Sequence, residues 1–219
     1  MDFKALVKFL SSLKKNNNKE WFDKNRKEYE VLRKDWIGFV GGLIKSVGAF
    51  DKDVMELDPK KCIFRINRDI RFSADKSPYK TNFGASLSKS GEKMDFCGYY
   101  LHVQPGEVFL AGGSYMPMPE QLQRIRQEID YNLDEFKKIV SDKNFKKQFG
   151  QLSGDKLQRP PKGYDAENPA VEFLKHKGFL AYQKFDEKKL YEKDFEKYCS
   201  QVFKAMLPLN EFLNRAVRD

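Results

Sequence analysis

The sequence is poor in the residues that most catalytic motifs require. It has two histidines and three cysteines among 219 residues. Cys62, Cys97 and Cys199 are far apart, odd in number and lack C-x-x-C spacing, which argues against a disulfide framework or a zinc ribbon. No H-E-x-x-H, Walker A or dinucleotide glycine pattern occurs. No stretch approaches the roughly 18 apolar residues of a membrane span, and the start "MDFKALVKFLSSLKK" is too charged and too periodic for a secretory core. There is no internal repeat and no low-complexity tract. These absences lead us to expect a cytoplasmic chain with no membrane partner and no dedicated metal. The sequence names no cofactor and leaves oligomeric state open.

Aromatic residues, by contrast, are plentiful. Nineteen Phe and an apolar share of 40% place the chain far from disorder and allow a substantial core. The length predicts one domain covering residues 1–219. The net charge is +9 and its excess is local. From Lys60 to Lys93 nine basic residues face only Asp69, Asp75 and Glu92, a segment charge of +6. Elsewhere, as in "KFDEKKLYEKDFEKY", the signs are mixed like those of a solvated helix face.

Apolar periodicity predicts a first helix through Phe3, Leu6, Val7, Leu10 and Leu13, ended by "NNNK". Asn18 is placed to cap a second, long helix reaching Val47, loosened near Gly41-Gly42 and packed across a sheet. The sheet is expected to begin near Lys61, where "CIFRINRDIRF" alternates, and to continue in "NFGASLS". A hairpin follows, turning at Gln104-Pro105-Gly106-Glu107. Strands without helices between them predict an α+β fold with a mainly antiparallel sheet packed against N-terminal and C-terminal helices. Pro119 opens a helical stretch through Val140, and "LSGDKLQRPPKGYDAENPA" is a long loop. A short helix at 170–176, a strand at 179–185 and a helix from about Leu190 to Val217, interrupted at Pro208, complete the chain.

The stretch "FRINRDIRFSADKSPYKTN" carries the candidate chemistry. On a strand, Arg65, Asn67, Asp69 and Arg71 share one face and Arg68 the other. Asp69 can orient an arginine while leaving other N–H groups for a ligand. We expect Arg65, Arg71 and Lys76 to contact a small anion, plausibly phosphorylated, with Tyr79 and Lys80 framing the entrance. For proton transfer the candidates are His102 and Asp75, and whether any reaction occurs is left open. A Ser73–His102–Asp69 triad can be drawn, but no spacing requires it. A nucleic-acid module with Tyr79 as a stacking surface is the alternative, as is a structural or partner-binding protein whose arginines pair internally. Gly112-Gly113 offers backbone donors to an anion. The loop residues Arg159, Lys162, Tyr164 and Asp165 could form a lid over the mouth of the sheet.

The run "FRINRDIRFSADKSPYK" resembles the signature of an uncharacterised family, domain of unknown function 2461. The similarity extends through "EWFDKNRKEYE", "GYYLHVQPGE", "QLQRIRQEI" and "LQRPPKGYDAENPA". Asn67 stands where the family pattern leads us to expect an aromatic residue, and Asn168 where it leads us to expect histidine. The resemblance implies a fold neighbourhood and carries no established activity.

Overall fold

The structure, a computed structural model, describes residues 1–89 and 96–217. Helix α1 (Phe3–Lys15) starts where the Asp2 carboxylate accepts from the Ala5 amide at 2.9 Å. It buries Phe3, Leu6, Phe9, Leu10 and Leu13. Asn18 caps the next helix as expected, accepting from the Trp21 amide at 2.9 Å. That helix ends early, however. Helices α2 (Lys19–Lys24) and α3 (Arg26–Gly48) are separated by Asn25, whose side-chain amide donates to the Trp21 carbonyl at 2.8 Å and so competes with the backbone for it. Helix α3 is continuous through Gly41-Gly42. A Cβ at Gly42 would lie 2.5 Å from the Glu196 carboxylate, so glycine permits close helix contact there.

The largest correction concerns the start of the sheet. Residues 63–82 form no strand; they follow helix α4 (Pro59–Cys62) with isolated bridges at Ile63–Ala85 and Asn67–Tyr79. The segment closes on itself, with the Arg68 amide donating to the Pro78 carbonyl at 2.9 Å and the Lys80 amide to Ile66 at 2.7 Å. Alternation alone could not hold it in the sheet, because Asp69 pairs with Arg71 and Arg68 with Asp75 and the Ser77 carbonyl inside the segment itself. The antiparallel sheet runs in the order β1 (Phe83–Leu87), β2 (Gly98–Gln104), β3 (Glu107–Ser114) and β4 (Phe179–Lys184). The β2–β3 hairpin turns at the expected place, with Gln104 opposite Glu107. The basic segment runs into residues 90–95, which lie outside the described ones.

After β3, α5 (Pro119–Tyr131) begins at Pro119, and α6 (Leu133–Ser141) and α7 (Lys143–Phe149) follow. The long loop leads to α8 (Val171–Leu174), then β4, a 3₁₀ turn at Glu187–Tyr191 and α9 (Phe195–Val217). Pro208 does not interrupt α9. It is exposed, as is Lys204 one turn earlier, so the carbonyl it deprives of a donor can turn to water while both flanks stay packed. Helix α9, rather than α3, crosses the sheet: Met206 abuts Gly112, and α3 reaches β1 through the Trp36 and Tyr29 rings on Phe83, at 5.8 and 6.2 Å. Buried Asn214 donates to the Cys97 carbonyl at 3.0 Å and accepts from its amide at 2.8 Å, fixing the entry to β2. Among the described residues, no helix is long and apolar enough to cross a membrane.

The long loop is pinned beside β4, the opposite sheet edge from residues 63–67. Ser153 pairs with Leu180 and Lys156 with His176. Arg126 of α5 donates to the Leu174 and His176 carbonyls at 2.7 and 3.1 Å. His176 is 3% exposed, and burial, with Lys156 nearby, pushes its pKa down to about 4. Between pH 6.5 and 4 the unfolded chain binds a proton that the folded chain does not, so stability falls as pH drops through that window. In urea unfolding at pH 7 and pH 4.5, wild type should lose more stability than His176→Phe. Equal losses would rule this out.

Candidate functional site

The loop from Ile66 to Lys80 is organised by Arg68, the residue that strand alternation places on the apolar face. Its guanidinium donates to Asp75 at 2.5 Å, to the Ser77 carbonyl at 3.1 Å and to the Ser73 hydroxyl at 3.3 Å. Asp75 also accepts from the Ser77 amide and hydroxyl at 2.9 and 2.6 Å. Those Ser77 hydrogen bonds, with Arg68, hold its pKa down to about 2. Asp75 is therefore ionised at neutral pH, its oxygens engaged in the loop rather than offered to a proton in transit.

The other expected site residues are spread over different surfaces. Asp69 accepts from Arg71 at 3.0 and 2.7 Å, and both are exposed at the loop tip; Arg71, with Arg65 behind it, lowers the Asp69 pKa. Lys76 donates to the Ile70 carbonyl at 3.0 Å. Tyr79 is 7% exposed and stacks on Phe22 at 4.0 Å, so it frames no entrance and offers no face to a nucleobase. The Lys80 ammonium sits 5.2 Å from the centre of the Phe64 ring. His102 stacks on Phe109 at 4.6 Å, and its Nδ1 lies 3.1 Å from the Tyr100 hydroxyl. Burial lowers its pKa, favouring neutral imidazole. Ser73, His102 and Asp69 are thus each engaged with other partners.

Of the expected anion contacts, Arg65 lines a cavity with other cations. A groove of about 320 Å³ lies between α3 and residues 60–67, lined by Arg26, Arg33, Lys60 and Arg65 together with Tyr29 and Asn67. On α3, Arg26, Tyr29 and Arg33 follow i, i+3, i+7 spacing and form one stripe. Arg26 is paired with Asp23 at 2.6 Å. Among the described residues, Arg33, Lys60 and Arg65 have no carboxylate oxygen within 4.0 Å. The Tyr29 pKa is raised by burial against the pull of Arg33 and Arg26; its hydroxyl stays a neutral polar group within the groove. The α3 stripe escapes a reading of that helix for its apolar face alone. Lys60 and Arg65 join it only through the turn made by α4.

A family model described as conserved hypothetical protein (DUF2461) matches residues 5–212. The chain belongs to this family. The match runs from within α1 to within α9 and includes the DUF2461 loop, the groove and the sheet. No curated protein and no solved structure matches the chain. Asn168, one of the two positions that depart from the expected DUF2461 pattern, donates to Asp130 at 2.8 Å and accepts from the Ala170 amide at 2.7 Å. It ties the long loop to α5, away from the groove. Asn67, the other, lines the groove.

Proposed function

We propose that the chain binds a small phosphate- or carboxylate-bearing molecule in the groove between α3 and residues 60–67. One observation carries this reading: Arg33, Lys60 and Arg65 line one groove, and among the described residues none of them has a carboxylate oxygen within 4.0 Å. Cations kept together repel one another, and a bound oxyanion relieves that repulsion through charge-assisted hydrogen bonds. Guanidinium forks suit tetrahedral or planar oxyanions. The signature loop then acts as scaffold, with Arg68 and Asp75 bracing the chain from which Arg65 projects. The nucleic-acid alternative loses its stacking residue with the burial of Tyr79. The buried thiols of Cys62, Cys97 and Cys199 are compatible with a reducing compartment such as the cytoplasm.

Titration with inorganic phosphate and pyrophosphate, followed by thermal unfolding, tests the reading. A ligand at about a hundred times its dissociation constant adds about 2.7 kcal/mol, or roughly 5–10 °C for a chain of this size. Arg65→Ala and Arg33→Ala should each weaken binding tenfold or more, and Arg71→Ala should leave it unchanged. An equal shift in wild type and Arg65→Ala, or loss of binding in Arg71→Ala alone, would refute the groove.

A further inference from the structure

The sheet has one face covered by α9 and another that carries a second cavity, of about 470 Å³. Strand register explains its shape. Ser86 lies opposite Tyr100, Tyr100 opposite Ala111, and Ala111 opposite Tyr182, so one row across the sheet reads small, large, small, large. The next row places Gly98 beside Gly113 and Gly113 beside Leu180. The floor is thus made of Ser86, Gly98, Ala111 and Gly113. Gly113 has φ 111°, and a Cβ there would stand 2.0 Å from the Phe179 carbonyl oxygen, so the backbone itself keeps that part of the floor bare. Around it rise Phe64, Phe96, Tyr100, Phe109, Tyr115 and Tyr182. No charged residue is among the described lining residues. Burial pushes the Tyr100 pKa up to about 12, keeping its hydroxyl protonated.

Phe64 lines this cavity and the basic groove alike. It meets Tyr100 edge to face at 5.9 Å. The two rings fit over Gly84, where a Cβ would come 2.6 Å from the Tyr100 hydroxyl and 3.2 Å from the Phe64 ring. Arg65 follows Phe64 directly in the chain, and Lys80 lies over the Phe64 ring. A ring-walled chamber with no charge among its described lining residues therefore shares a wall residue with a cluster of cations. We infer that the chamber binds a planar aromatic body, and that the ligand is an aryl anion whose charged substituent extends past Phe64 toward Arg65. The second half rests on the anion-binding reading above. Both volumes are of the size that holds small molecules. Tyrosine and phenylalanine walls favour offset or edge-on ring contacts, and an apolar chamber rejects an unpaired charge, which must then lie outside it.

Calorimetric titrations with 1-naphthyl phosphate, 1-naphthol and inorganic phosphate test both halves, on wild type, Ala111→Leu and Arg65→Ala. Ala111→Leu fills the floor; should it fail to fold, Tyr182→Ala removes a wall instead. We expect naphthyl phosphate to bind at least tenfold tighter than naphthol or phosphate. Ala111→Leu should reduce it to the affinity of phosphate, and Arg65→Ala to that of naphthol. Naphthol binding that is absent, or the same in wild type and both cavity variants, overturns the aromatic site even if phosphate binds the groove. Cavity-sensitive naphthol binding with no effect of Arg65→Ala on naphthyl phosphate overturns the aryl-anion assignment. If phosphate also fails to bind wild type, the groove reading fails with it. A wild-type dimer that dissociates in Ala111→Leu would assign the face to a second copy of the chain and overturn the inference.

Discussion

Replacing Tyr79 by alanine is expected to destabilise the protein by about 3–5 kcal/mol, the usual cost of truncating a buried aromatic residue. The ring lies flat on Phe22, with centres 4.0 Å apart and planes 16° apart, and Phe22 in turn meets Tyr29 at 5.1 Å. The backbone on either side of the ring is clamped by one side chain. Asn17 accepts from the Tyr79 amide at 3.1 Å and donates to its carbonyl at 2.9 Å. Ring and clamp together dock the far end of the signature loop onto the connection between α1 and α2. Tyr79→Phe keeps the stack, and we expect it to cost less than about 1 kcal/mol. Urea unfolding of the three proteins measures both. If Tyr79→Phe proved as damaging as Tyr79→Ala, the hydroxyl rather than the stacked ring would be the anchor.

Arg68→Ala should cost about 1.5–3 kcal/mol, and Arg71→Ala far less. Arg68 is only a quarter exposed, at 26% for its side chain, and its guanidinium joins Asp75, Ser73 and the Ser77 carbonyl. Its removal leaves a carbonyl and a carboxylate without their charged donor. Arg71 is 76% exposed and pairs with Asp69 in water, where ion pairs contribute little. The loop is the part most affected, so limited proteolysis between residues 68 and 77 should accelerate in Arg68→Ala and not in Arg71→Ala. Equal cleavage in the two variants would remove Arg68 from its role as the hub of the loop.

Local features were legible where local chemistry governs them. Asn18 caps, Pro119 opens a helix, and Pro105-Gly106 turns the hairpin, because each depends on neighbours within a few residues. The α+β class likewise followed from strands that succeed one another without intervening helices. The family was legible too, since its signature is continuous in sequence. Misplacement arose where a local alternation was overridden by side-chain contacts that close a loop. "CIFRINRDIRF" alternates like a strand, yet it folds back because Arg68 finds Asp75 and the Ser77 carbonyl at closer range than any partner across a sheet. The candidate site shows the same division. The sequence by itself determined that cations would be concentrated around residues 60–80, whereas the α3 stripe of Arg26, Tyr29 and Arg33 escapes a reading of that helix for its apolar face alone. Only tertiary structure decided that Arg65 faces that stripe while Tyr79 is buried and Asp69 and Arg71 point to solvent. The physical reason is that electrostatic convergence depends on where separated segments meet. In this chain, that meeting is set by apolar packing of Phe22, Tyr79, Trp36 and Phe83, none of which carries the charge.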